Sequence, residues 1–212
     1  MSSHQVTAAD TSAWGGGASP YATNSKKFGM WLFIISDALT FSVLLFAYTY
    51  CRVSNPDWPK PFDFFPSIIF SSVMTFCLLS SSLTMVMAVH SMNNGNRSSA
   101  AKWIMGTMAG GAAFVVLHGI EWSRLITHEH VTPGANPWGV PLFGATFFAI
   151  TGLHMTHVII GVIYLGIICQ AVMRGKFKAE DVEVAGLYWH FVDLVWMFVF
   201  PLVYLMSANV NH

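Results

Sequence analysis

Residues 141–173, PLFGATFFAITGLHMTHVIIGVIYLGIICQAVM, contain no Asp, Glu, Lys or Arg. About 20 apolar residues of helix cross the hydrocarbon core of a bilayer. At about 1.5 Å per residue this stretch would be roughly 50 Å long if wholly helical, so it must tilt or project into solvent. Four further apolar stretches of near or above spanning length lie on either side, at about residues 28–50, 67–89, 102–122 and 184–206. A helix satisfies its own backbone polar groups where there is no water. A barrel would need shorter, alternating segments, and the sequence has none. The expected fold is therefore all-α, an integral membrane bundle of five transmembrane helices.

Composition agrees. Of 212 residues, 54% are hydrophobic and 9% charged, against about a quarter charged in an average soluble domain, so lipid must be the solvent. Ten basic and ten acidic residues cancel with no basic block, which excludes the electrostatic footprint of a nucleic-acid binder. Residues 1–25 are polar and rich in Gly, Ser, Thr and Ala, with Gly15, Gly16 and Gly17 in a row. They have no basic region leading into an apolar core, so they read as a flexible tail and not a signal peptide. Residues 26–212 form the one transmembrane domain. Cys51, Cys77 and Cys169 are far apart and form no C-x-x-C or C-x-x-C-H, which argues against a disulfide framework, a dinuclear copper motif or covalently attached haem.

The connectors carry turn chemistry: Asn55-Pro56 with Pro59, Pro61 and Pro66, Asn93 to Asn96 around Gly95, Thr132-Pro133-Gly134 with Asn136-Pro137, and Arg174-Gly175. Five spans put the two termini on opposite sides. Lys26, Lys27, Arg97, Lys102, Arg174, Lys176 and Lys178 fall on the first side, and Arg52, Lys60 and Arg124 on the second. That asymmetry predicts a cytoplasmic N-terminus and a C-terminus on the opposite face. Trp31, Trp58, Trp103, Trp122, Trp138 and Tyr204 lie near the predicted interfaces, where aromatics anchor spans or pack helices.

The chemistry lies in what is not apolar: Asp37 in the first span, His118 and Glu121 in the third, His154 and His157 in the fourth, and Glu183, His190 and Asp193 in the fifth. A central charge costs roughly 2.5–3.5 kcal/mol in hydrocarbon, so such groups should face the bundle interior, pair, or be neutralised. The pairs His118/Glu121 and His154/His157 are spaced i,i+3, so each should project from one side of its helix. Glu183, His190, Asp193, Met197, Phe200 and Tyr204 trace one face of the fifth span. Gly106, Ala109, Gly110, Gly111 and Ala112, and Gly161 and Gly166, permit close helix approach. Three readings stay open. The plainest is interhelical hydrogen bonding, at about 0.6 kcal/mol each on average. The second is proton handling, with Asp37 the best candidate. The third is ligation of a metal or b-type haem by buried histidines.

The segment EVAGLYWHFVDLVW at residues 183–196 resembles the closing helix of subunit III of haem–copper oxidases. GMWLFIISD at residues 29–37 and TFFAITGLHMTHVIIG at residues 146–161 are similar to the same family in the same order, with a weaker match around Glu121. The resemblance implies a redox-inactive subunit of a proton-pumping oxygen reductase, seated against a subunit I that carries the haems and copper, and supporting proton supply and sustained turnover. It implies no cofactor in this chain. Its partners would be subunits I and II, membrane lipids and a possible larger respiratory supercomplex, and its location a bacterial inner membrane, multi-pass. Carried over residue by residue, the membrane carboxylate falls at Asp37, where many relatives have Glu. Glu121, His154, His157, Glu183, His190 and Asp193 match the family pattern. Longer relatives have seven helices and a lipid-filled cleft, and this chain begins at their third. Within the family, the runner-up is a partner of a nitric oxide reductase. Outside it stand a haem-binding membrane anchor using His118 with His154 or His157, and a transporter, for which Pro201 is the only clear helix break.

Overall fold

A computed structural model describes residues 25–209. The tail expected over residues 1–25 lies, except for Ser25, outside the described residues. Five helices follow: α1 (Ser25–Ser54), α2 (Ile69–Asn93), α3 (Arg97–Thr127), α4 (Pro141–Met173) and α5 (Ala179–Val199). Each is long and apolar enough to cross a membrane.

The turn residues explain the boundaries. Pro141 opens α4, where its missing N–H is no loss and its fixed φ suits the first turn. Beyond α4, Gly175 takes φ +71°, a left-handed conformation that closes the tight link to α5. Between α2 and α3, Gly95 at φ +76° plays the same part, and the Asn96 side chain then caps α3 by accepting from the Ser99 N–H at 3.0 Å. α5 starts with Glu180 and Asp181 in its first turn, suited to the positive end of the helix dipole, and the Lys178 N–H donates to the Asp181 carboxylate at 2.9 Å. α5 ends where Pro201 removes a backbone donor, and residues Phe200–Tyr204 continue as one wide π-turn.

Helices α2, α3, α4 and α5 pack in a closed ring, each against the next and α5 back against α2, while α1 leans on the outside of α4 and α5. Of the small residues of α3, Gly110 and Gly111 sit at these contacts, whereas Ala109 and Ala112 are exposed. A Cβ on Gly110 would come within 2.7 Å of Ser81, and one on Gly161 within 2.9 Å of the Trp189 ring. Gly111 faces the same indole from the other side, so Trp189 is fully buried between α3 and α4.

At the face where α1 and α3 end, here the distal face, the chain closes a clasp. Phe62–Asp63 (β1), in the link between α1 and α2, pairs in parallel with Ala208–Asn209 (β2), which follows all five helices. Phe62 stacks on Tyr204 with ring centroids 4.9 Å apart, the Tyr48 and Ser207 hydroxyls are hydrogen-bonded at 2.8 Å, and Arg52 donates to the Met206 carbonyl. Two residues read as possible interface anchors are therefore interior: Tyr204 is fully buried and Trp58 nearly so, whereas Trp31, Trp103 and Trp138 stay exposed.

Candidate functional site

The intramembrane polar residues resolve into three groups. In the first, His157 of α4 reaches out of the ring to Asp37 of α1. Its Nε2 lies 3.2 Å from Asp37 Oδ2, within ion-pair distance, with both side chains mostly shielded. Its Nδ1 is 2.8 Å from the Leu153 carbonyl of its own helix and so must be the donor there. The Nε2 is thereby left facing the carboxylate, although Asp37 Oδ2 has no partner of hydrogen-bond geometry among the described residues. Phe41 packs edge-on against the imidazole, and Tyr188 donates to the His157 carbonyl at 3.0 Å. Asp37 and His157 both fall near the middle of their helices, so the pair lies close to the membrane midplane.

The second group fills the ring. Glu121 accepts from Ser71 at 2.6 Å and from Tyr204 at 2.7 Å, and its Oε2 lies 3.5 Å from His118 Nδ1. His154 donates through Nε2 to the Val192 carbonyl of α5 at 3.1 Å. Both nitrogens of His118 and the Nδ1 of His154 are buried without a hydrogen-bond partner among the described residues. His118 and Glu121 project from one side of α3, as their spacing suggests, and Glu121 reaches Ser71 of α2. His154 and His157 instead part company, one toward α5 and the other toward α1. Phe114 and Trp196 each lie against both His118 and His154, at centroid distances of 4.8–5.7 Å. The space around the two imidazoles is thus filled by aromatic rings, which is poor ground for haem ligation. Among the described residues no cluster of three His, Cys, Asp or Glu side chains is placed to hold a metal ion.

The third group belongs to α5. Glu183 pairs with Lys27 of α1 at 2.5 Å, and the His190 Nδ1 is 2.6 Å from the Ser82 hydroxyl of α2. Asp193 is buried, and neither of its carboxylate oxygens has a hydrogen-bond partner among the described residues; the nearby Ser82 hydroxyl is engaged by His190. The single inward face expected for this helix needs correction, because Met197 is 49% exposed. Glu183 and His190 instead line a groove between α1, α2 and α5 of about 530 Å³, together with Lys27, Trp31, Val89 and His90. Tyr204 escapes this stripe because the wide turn around Pro201 intervenes and carries it inside.

The hydroxyls of Ser71, Thr75, Ser81 and Ser82, which supply many of the partners, were not singled out from the sequence, and Tyr204 was placed on the fifth-span face without its bond to Glu121. Ser81 accepts from the Trp189 indole at 3.0 Å and Thr75 from the Trp196 indole at 2.9 Å. The Ser-rich run of α2 was the available signal.

The family described as cytochrome c oxidase subunit III matches residues 7–208. The chain belongs to this family. Its relatives include a quinol oxidase subunit 3 of Bacillus subtilis, 33% identical over 184 residues that cover 85% of this chain and 87% of the relative. A cytochrome c oxidase subunit 3 of Alkalihalophilus pseudofirmus is 30% identical over 189 residues, covering 87% and 88%. A cytochrome c oxidase subunit 3 of Rhipicephalus sanguineus is 30% identical over 197 residues, covering 87% of this chain and 72% of the relative. As a subunit III the chain is an accessory subunit of a haem–copper oxidase and a multi-pass membrane protein. Quinol and cytochrome c oxidases both supply relatives at similar identity, so the electron donor is not legible in this subunit.

Proposed function

We propose that this subunit III takes no part in electron transfer, binds no cofactor of its own, and sits in a bacterial inner membrane against the haem- and copper-bearing subunit I and its neighbour subunit II. There it supports proton supply to a proton-pumping oxygen reductase. The observation that carries the reading is the Asp37–His157 pair, an acid and a base from two helices held 3.2 Å apart near the midplane. With one proton between them the pair is either carboxylic acid and imidazole or carboxylate and imidazolium, and both are net neutral. Such a pair can hold a proton in hydrocarbon without the cost of an isolated charge. The groove lined by Lys27, His90 and Glu183 supports a phospholipid partner, its phosphate near Lys27 and its chains along Trp31 and Val89.

The test begins with the chain tagged at its N-terminus and purified from native membranes in mild detergent. Co-purification of a haem- and copper-containing subunit is the expected result, and a chain recovered alone would sink the assembly claim. In that complex Asp37→Asn keeps shape and removes the charge. Retained assembly with slower proton uptake is expected, and uptake equal to the parent would assign the pair to packing alone.

A further inference from the structure

Glu121, deep in the ring, lines a cavity. About 140 Å³ of space opens at the distal face between the end of α3 and the link after α1, with Phe62, Phe70 and Leu125 on its apolar walls and Arg124, His128 and Glu129 around its polar side. A water needs about 10–15 Å³ of such volume, so the cavity has room for several. Glu121 stands six residues before the last residue of α3, about 9 Å along the helix axis, a distance that a short file of water would span. Its two donors, Ser71 and Tyr204, are neutral hydroxyls, and among the described residues no Lys or Arg is paired with it. Beside it lies His118, fully buried, with neither nitrogen hydrogen-bonded among the described residues.

We infer that Glu121 and His118 form a proton-binding pair that exchanges with the distal aqueous face through this cavity. A proton delivered by hydronium leaves water behind and neutralises the Glu121 carboxylate. Passage of that proton from Oε2 to His118 Nδ1 breaks one O–H bond and forms one N–H bond, converting acid and imidazole into carboxylate and imidazolium. Either way the pair goes from net −1 to net zero on binding one proton, so a low-dielectric surrounding favours the loaded state. The charged or titratable groups that face Glu121 are His118 and Arg124 of α3, His128 and Glu129 beyond it, and Tyr204 after α5. From α2 come only hydroxyls and apolar side chains, and the His154 of α4 stands behind Phe114 and Trp196. This site is distinct from Asp37–His157, which lies against α1, and the inference does not depend on the proposed role of that pair.

Infrared difference spectroscopy decides it, on the whole complex with which the chain purifies, reconstituted in vesicles and stepped in pH on one side at a time. A protonated-carboxyl band should appear and vanish with the pH of the distal side alone, shift when H2O is replaced by D2O, disappear in Glu121→Gln and persist in Asp37→Asn. His118→Phe should move its midpoint by about one unit, a tenfold change in proton affinity. A band indifferent to Glu121→Gln, fixed at every pH, or responding equally from both sides would overturn the inference. Should Glu121→Gln fail to assemble, Ser67→Trp at the cavity decides instead: deuterium exchange of the band slowed tenfold or more is expected, and unchanged exchange would refute the cavity as the route.

Discussion

Trp189 is held where two glycines make room for it. Gly111 and Gly161 flank the indole, and its N–H is taken by Ser81. Gly161→Val should therefore cost about 1–3 kcal/mol by overpacking, read as a lower midpoint for thermal release of the subunit from its complex. An unchanged midpoint would mean that α3 and α4 are free to separate. Ser71→Ala strips Glu121 of one of its two donors and should cost about 1–3 kcal/mol. Subunit retention in detergent checks it, and retention equal to the parent would mean that Glu121 finds another donor. At this scale the residue types were legible and their partners were not. His154 and His157 share a spacing that suggests one side, yet three residues turn a helix about 300°. The remaining 60° is enough, beside two neighbours, to aim one ring at α5 and the other at α1.

Among the elements, α1 is fastened differently at its two ends. At the end nearer the N-terminus Lys26 pairs with Asp181 and Lys27 with Glu183, with both lysines largely in contact with solvent. At the other end Tyr48 is buried and bonded to Ser207. Exposed ion pairs are screened by salt and buried hydrogen bonds much less so. Lys27→Ala should thus be felt at low ionic strength and vanish at high, whereas Tyr48→Phe should cost about 1 kcal/mol at both. Proteolytic nicking of the link after α1, followed across a salt series, checks the contrast. Helix α4 emerged with the bounds read from the sequence because Pro141 and Gly175 punctuate it. Helix α3 runs from Arg97 to Thr127, well past the apolar core at residues 102–122, because hydropathy registers only the part of a helix inside hydrocarbon and is blind to polar turns at its ends.

Taken whole, the molecule is a sealed ring with one helix outside it. In the most apolar window of α1, 11% of residues are buried, against 50% in the span that begins at Ala179. Phe46 is 73% exposed and Val53 81%. Phe46→Ala should change the stability of the isolated chain by less than about 0.5 kcal/mol. A marked loss of subunit III from the assembled oxidase in that variant would place the partner's surface on this face of α1, and equal loss from both would show that the face packs within the chain. Five spans could be counted from hydropathy, but not their closure into a ring, because apolar lipid-facing and apolar ring-facing positions look alike when lipid is as apolar as the core.

The clasp also orders events in time. β1 is made soon after α1, whereas β2 follows every membrane helix, and their pairing joins Phe62 to Ala208. During synthesis the link after α1 must wait with its strand unpaired while four more spans are inserted. Tyr48, Arg52 and Glu121 wait with it for Ser207, Met206 and Tyr204. The subunit is therefore born open at its distal face and locks last, so an arrested or truncated nascent chain would display unsatisfied polar groups that a membrane protease could recognise, while a finished one hides them.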